Sequence, residues 1–353
     1  MLRAQVEEQF EPCDRVPVPT AGRPLPRVVA LGGGTGLPIA LRGLKDLLFP
    51  QGTTWIAARD RDRLTGIVSV ADDGGSSGRL RRSYGVLAPG DARNCLLALA
   101  SGDPMLSAVF DYRFDGDGGL GGHSLGNLIL TALSRLEANF ARAVDRAGGV
   151  LAVRGRVLPS TLDGVSLVAE LADGRRVAGE SCIASAGGPI RRVTLRPPTA
   201  RALPEARKAI ERADLVTIGP GSLYTSLIPV LLVKDLAGSI ARSRARVVLI
   251  MNLMTEPGET DAYGATDVLL ALRRHAPRLR IHDVLFNGAA IPGRLAERYA
   301  AGSAFPIATE PAAMRALGCR VATRDLLGTG PKVRHDPGKL ARALFELLSW
   351  RSA

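Results

Sequence analysis

The sequence is poor in the residue types that mark several large protein classes. Aromatic residues make up only 4% of its 353 positions, too few to build the stacking platforms that hold single-stranded nucleic acids. Of its 46 basic residues only five are lysine. The arginines are scattered, often beside acids, as in Glu205-Ala206-Arg207-Lys208. The net charge of +12 therefore reads as solubility plus local anion binding, and no specific nucleic-acid partner is expected. The four cysteines, Cys13, Cys95, Cys182 and Cys319, stand far apart with no C-x-x-C pair. That spacing argues against both a disulfide framework and structural zinc. The sequence contains no run of 18 apolar residues to cross a membrane, and residues 1–24 carry no apolar signal-peptide core. The expectation is a cytoplasmic enzyme or binding protein.

With 46% hydrophobic and 23% charged residues, the chain is long and apolar enough to bury a large core. Strand signals at Arg27–Leu31, Ile67–Ala71, Leu215–Ile218, Val247–Asn252 and Asp283–Asn287 alternate with helical stretches at 37–48, 95–100, 125–147, 203–212, 234–243 and 265–275. Such alternation predicts a parallel sheet covered on both faces, here as a Rossmann-like, doubly wound α/β fold. A single domain is expected over 26–345, after a flexible tail to residue 25. Residues 49–65 read as a surface loop. Between 150 and 200 the alternation fails. Short Val/Leu runs split by Asp163-Gly164 and Asp173-Gly174 predict an antiparallel insertion with hairpin turns. A closing helix is expected at Lys339–Arg351, within the last segment 339–353.

Ligands of open parallel sheets bind beyond the carboxyl ends of the strands, and unusual polar residues recur at those ends. The richest stretch is Val68-Ser69-Val70-Ala71-Asp72-Asp73-Gly74-Gly75-Ser76-Ser77-Gly78-Arg79. It joins a β-branched run to paired carboxylates, small hydrogen-bonding residues and a cation. Those residues suit phosphate oxygens and either a sugar hydroxyl or a metal. The first strand ends in Gly32-Gly33-Gly34-Thr35-Gly36, a phosphate-capable turn of neither common type. The dinucleotide pattern needs a glycine where Leu37 stands, and no Gly-Lys-Ser/Thr follows for a P-loop. Asp91, Arg93 and Asn94 sit where an apolar helix begins, so Asp91 is either the N-cap or a ligand contact. His123, among small residues in Gly121–Asn127, could bind phosphate or shuttle a proton, whereas His275 and His282 read as surface groups. The loop from Gly219 through Gly221 and Ser222 to Ser226 suits an anion. Asn252, Thr255, Glu259 and Thr260 could fix sugar hydroxyls, with capping as the alternative for the last two. Neither Ser124 nor Ser222 lies in a G-x-S-x-G elbow, so no hydrolase triad is expected.

Those motifs resemble the YvcK/CofD-like family: Asp72–Arg79 with Leu80-Arg81, the run Gly85–Leu96, Gly122–Asn127, Ala213-Asp214-Leu215 with Gly219–Ser226, and Asn252–Thr260. One branch of that family transfers a 2-phospholactate group to the deazaflavin Fo. The other, which the unbroken Asp-Asp-Gly-Gly-Ser-Ser-Gly-Arg-Leu-Arg resembles more, binds UDP-N-acetylglucosamine and supports cell shape and gluconeogenic growth. The resemblance implies ligand contacts from the Gly32–Gly36 turn with Gly33, Gly34, Thr35 and Gly36, from Asp72 and Asp73, from Gly219, Gly221 and Ser222, and from Asn252; the residue chemistry above adds Ser76, Ser77, Arg79, Asp91, Arg93, Asn94, His123, Asn127 and Thr255. In the C-terminal half, the resemblance of Arg298-Tyr299 and Arg334-His335-Asp336 to family segments implicated in uridine-nucleotide binding adds Tyr299 and Arg334, with stacking and a surface salt bridge as the alternatives. It implies a homodimer and no required cofactor, with Mg2+ as the ion the paired carboxylates would accept. The chain departs from the family pattern at Val230, Asp267, Gly288 and Gly302-Ser303. The rival readings are a 2-phospholactate-type transferase and, less favoured without a glycine at 37, an NAD-dependent oxidoreductase.

Overall fold

The structure is a computed structural model that describes residues 25–49 and 58–349. The expected tail through residue 24, residues 50–57 of the 49–65 loop, Cys13 and the last four residues lie outside the described residues; the rest of that loop is not all loop, since a one-turn helix spans Ala58–Arg61 and the second strand begins at Leu64.

Seven parallel strands form the central sheet: β1 Val28–Gly32, β2 Leu64–Val68, β3 Arg156–Pro159, β7 Leu215–Ile218, β8 Arg246–Ile250, β9 Asp283–Asn287 and β10 Arg320–Arg324. Their spatial order is β10-β9-β8-β7-β1-β2-β3. The chain builds outward from β1 to β2 and β3, then returns to the other side of β1 and builds through β7 to β10. β1 and β7, paired from Val28↔Leu215 to Leu31↔Ile218, therefore flank the topological switch point. Every residue of β1, β2, β7 and β8 is buried. Largely apolar runs are what a sheet covered on both faces requires, and they made these strands legible in the sequence despite the buried Thr65, Thr217 and Arg246.

A second sheet, ordered β5-β4-β6, contains β4 Ser166–Leu171, β5 Arg176–Ala178 and β6 Ile190–Arg196, all antiparallel. It is the expected insertion, with narrower bounds. Arg156–Pro159, inside the same interval, pairs with β2 in the main sheet. Asp173-Gly174 does turn the β4–β5 hairpin. Asp163-Gly164 instead links strands of two different sheets, because the buried Thr161 and the bridge Thr161↔Ala202 redirect the chain there.

Three further expectations are corrected. Asp72–Gly78 is not all loop, since a helix spans Gly75–Tyr84. Its Gly-Ser-Ser-Gly start has weak helix propensity, and tertiary packing overrides it. The stretch 125–147 is two helices, Leu125–Leu136 and Phe140–Val150. The break falls at Asn139, whose side chain accepts from Arg142 N at 3.2 Å. The second strand starts three residues earlier than expected and ends at Val68. The closing helix is observed at Pro337–Ser349. Among the described residues no helix is long and apolar enough to cross a membrane.

Candidate functional site

The crevice at the switch point lies between the loop after β1 and the loop after β7. Close approach of these loops depends on a residue without a side chain: a Cβ at Gly36 would overlap the Pro220 carbonyl oxygen. The helix Gly36–Leu48 begins there, so its free amides face the crevice. Across from it, Leu223–Leu227 forms a π-helical turn with Leu227 N donating to Ser222 O at 2.9 Å. π-helical turns often mark functional sites. Glu259 accepts from Tyr224 N at 3.1 Å and from Thr225 Oγ1 at 2.8 Å, which satisfies the start of that turn. Capping is therefore the role of Glu259. Thr260 is likewise used internally, its hydroxyl accepting from Glu256 N at 2.8 Å.

The two loops open onto a cavity of about 310 Å³. Ten of the sequence-designated residues line it: Gly33, Gly34, Thr35, Gly36, Gly221, Ser222, Asn252, Thr255, Tyr299 and Arg334. Gly219 sits just behind, its amide donating to Leu31 O at 3.0 Å. Asn252 Oδ1 accepts from Gly221 N at 3.0 Å while its Nδ2 donates to Gly221 O at 2.9 Å. Both polar ends of Asn252 are thereby committed to shaping the loop. Thr255 is committed in the same way, to the backbone of Phe305. Tyr299 Oη accepts from Val333 N at 3.1 Å, leaving its ring as cavity wall. Arg334 is exposed, and its guanidinium makes no ion pair among the described residues.

A second group of designated residues adjoins the cavity through Asp91. Its carboxylate lies against the glycine turn, accepting from the Gly34 amide, with Asp72 close by. Burial pushes the Asp91 carboxyl up to about 7; the Asp72 charge adds to the rise and the Gly34 hydrogen bond opposes it. Ser77 Oγ accepts from Gly90 N at 3.2 Å. Asp72 Oδ1 accepts from Gly74 N at 2.9 Å, and Arg81 holds the same loop by donating to Ala71 O, Asp72 O and Val165 O. Asp73 reaches into the small sheet's one-turn helix, accepting from Glu180 N at 3.1 Å and Ser181 N at 2.9 Å.

Other designated residues lie further from the cavity. Ser76 Oγ sits 2.9 Å from His123 Nδ1 and accepts from Asn127 Nδ2 at 3.1 Å, a buried polar chain. Burial, then the charges of Arg79 and Arg113, lower the His123 pKa. Arg79 donates to Gly121 O at 2.6 Å. Arg93 is buried and committed to Asp111 at 3.2 Å and to Asn94 Oδ1 at 2.7 Å. The surface reading of two histidines is corrected: His275 Nε2 accepts from Val193 N and His282 Nδ1 accepts from Val247 N. Both are half-buried braces between backbone segments.

Sequence reasoning missed two carboxylates, and it noted His335 only as part of the segment Arg334-His335-Asp336. Glu256 lines the cavity and accepts from Ser222 Oγ at 3.1 Å. Burial, reinforced by Glu259, raises its carboxyl to about 7 against that hydrogen bond. Glu180, from the small sheet's side, is raised to about 8 by burial and then by the charges of Asp72, Asp91, Asp73 and Glu259. His335 also lines the cavity. Glu256 lay inside the polar stretch after β8 and so could have been found. Glu180 carried no local signal. Among the described residues no group of three or more His, Cys, Asp or Glu side chains is placed to hold a metal ion.

Together, a doubly wound sheet and a donor-rich crevice at its switch point define the architecture of this α/β protein. The sequence matches the family described as 2-phospho-L-lactate transferase CofD over residues 28–327, and the chain belongs to that family. It is 43% identical over 325 residues to the gluconeogenesis factor of Bacillus subtilis (strain 168), covering 92% of this chain and 98% of that protein. It is 42% identical over 320 residues to the gluconeogenesis factor of Halalkalibacterium halodurans, covering 90% and 95%. A crystal structure of a UPF0052 family member from Bacillus halodurans superposes with a TM-score of 0.84 at 41% identity, covering 92% of this chain and 100% of that one.

Proposed function

We propose that this chain is a YvcK-type binding protein that holds a nucleotide sugar, UDP-N-acetylglucosamine or a close relative, in the switch-point crevice. Convergence of the Gly33–Gly36 turn, the Gly221-Ser222 loop and the uncommitted Arg334 on one cavity carries the reading. Backbone amides and the Ser226 hydroxyl take the pyrophosphate, Arg334 adds a cation, and the Tyr299 ring lines the place for a base. A volume of about 310 Å³ lies at the lower end of the range for small-molecule sites, roughly 300–1,000 Å³. Nucleoside and phosphates fill it, and the sugar extends toward Asp72 and Glu180. No cofactor is required. Asp72 and Asp91 offer two neighbouring carboxylates, so a Mg2+ ion would enter with the ligand's phosphates and complete its shell from them.

The protein acts in the cytoplasm as a homodimer. Its role is regulatory, coupling central carbon metabolism to cell-wall precursor supply, gluconeogenic growth and cell shape. Ligand binding shifts its conformational population through differential affinity for two states. A second reading, favoured by carboxyls held near neutrality at Asp91 and Glu256, is transfer of a 2-phospholactate-type group from a nucleotide-activated donor to Fo. Calorimetric titration with UDP-N-acetylglucosamine, GDP and NAD separates these readings. Selective binding of the UDP-sugar supports the first; preference for GDP with turnover of Fo establishes the second.

A further inference from the structure

A second cavity, of about 640 Å³, opens beyond the carboxyl end of β3 and shares no lining residue with the switch-point crevice. It lies where the helix Gly75–Tyr84 ends, the helix Phe140–Val150 begins and the loop after β3 runs past Leu162 and Gly164. Its size falls inside the range of roughly 300–1,000 Å³ typical of small-molecule sites.

Two guanidinium groups line it, from Arg81 and Arg135, and among the described residues no Asp or Glu does. The acids nearest in sequence are spent elsewhere. Glu137 pairs with Arg146 at 3.0 Å, and Asp163 accepts from Arg201 N at 2.8 Å. Arg81 donates to the carbonyls of Ala71, Asp72 and Val165, and Arg135 to the Tyr84 carbonyl at 3.3 Å. Neither forms an ion pair among the described residues. Each guanidinium therefore keeps N–H groups in reserve and a positive charge without a counter-ion. The rest of the wall is largely apolar. Phe140 and Leu87 are buried behind it, whereas Tyr84 and Leu162 are 53% and 40% exposed.

These two demands define the occupant. Inorganic phosphate satisfies the cations but leaves the apolar wall wet. A neutral apolar molecule covers the wall but strips water from two uncompensated charges. A molecule that joins a flat apolar body to a carboxylate, sulfonate or phosphate group meets both demands.

We propose that this cavity is a second ligand site, selective for small organic anions with a flat apolar body, in which Arg81 and Arg135 hold the anionic group. The site is independent of the nucleotide reading of the crevice. Arg81 also holds the Ala71 and Asp72 carbonyls, so an occupant sits one side chain away from the crevice loop.

Fluorescence titration of the full chain with anilinonaphthalene sulfonate tests the site, because that probe has the required chemistry and phenylnaphthylamine is the same body without the charge. The sulfonate should bind at a single site, about 10-fold more tightly than the neutral analogue, the worth of a hydrogen bond to a charged group. Arg135→Glu should remove most of that preference, and Leu162→Glu should weaken binding of both probes. Both positions are exposed, so the variants are expected to fold; should either fail, the wild-type comparison of the two probes still decides. Saturating UDP-N-acetylglucosamine should leave the sulfonate bound. No binding by the wild type, equal affinity for the two probes, or affinity indifferent to both substitutions overturns the assignment. Displacement by the nucleotide sugar would place the probe in the crevice and overturn it as well. Probe affinity that falls as protein concentration rises would give the cavity to a second copy of the chain, with the same consequence. Binding of the nucleotide sugar itself decides the crevice reading separately.

Discussion

Asn252 grips Gly221 from both sides, accepting from its amide at 3.0 Å and donating to its carbonyl at 2.9 Å. A side-chain amide thereby stands in for a strand partner and locks the loop after β7 to the end of β8. Asn252→Ala removes both bonds. The expected loss of stability is about 1–3 kcal/mol, together with a roughly tenfold or larger loss of nucleotide affinity from the loosened loop. Urea unfolding and calorimetric titration of the variant measure the two effects; unchanged affinity would show that the loop keeps its shape without the clamp.

Gly36→Ala tests the contact between the two crevice loops. The added methyl meets the Pro220 carbonyl rather than a flexible side chain, so the backbone has to move. Overpacking of that kind costs about 1–3 kcal/mol. A lowered midpoint of thermal unfolding is the expected result, and an unchanged midpoint would mean the loops tolerate separation.

Asp91 makes stability fall with rising pH. Its folded-state pKa of about 7 exceeds the ordinary 3.8. Its stabilising contribution is therefore fully present below about pH 4 and is lost as pH rises through 7. Glu256 and Glu180 act in the same direction to about 7 and 8. The lowered histidines His123, His275 and His335 act in the opposite sense, but only below about 6.5. Between pH 6.5 and 8.5 the wild-type urea midpoint should decline, and Asp91→Asn should flatten that decline. A midpoint that climbs over this interval, or one indifferent to Asp91→Asn, contradicts the burial of an ionisable carboxyl at the glycine turn.

Arg334→Ala separates binding from folding. The side chain is exposed and carries no ion pair among the described residues, so stability should change by no more than about 0.5 kcal/mol. Affinity for UDP-N-acetylglucosamine should fall at least tenfold, with a shallower salt dependence. Undiminished binding would remove Arg334 from the site.

Most of the sheet could be read from the sequence because its strands are largely apolar runs. β10, Arg-Val-Ala-Thr-Arg, escaped notice: it is an edge strand with one buried residue, so it has no apolar face to betray it. The helix Gly75–Tyr84 escaped because glycine and serine at its start point toward loop. Among site residues, the glycine turn and the Ser222 loop announced themselves by composition. Arg93 did not reveal that its charge is spent on Asp111. Glu180 became visible only through burial, which depends on segments far away in the chain.

The sequence by itself determined the alternating α/β plan and the positions of the small and polar residues that end each strand. Hydrophobic periodicity and backbone stereochemistry act locally, and those features needed nothing else. Only the tertiary structure decided which loops share a crevice, that Asn252 serves the backbone while Arg334 stays free, and which carboxyls and imidazoles are driven from their usual pKa values. Desolvation and hydrogen bonding are set by neighbours brought in from tens or hundreds of residues away, and no local pattern encodes them.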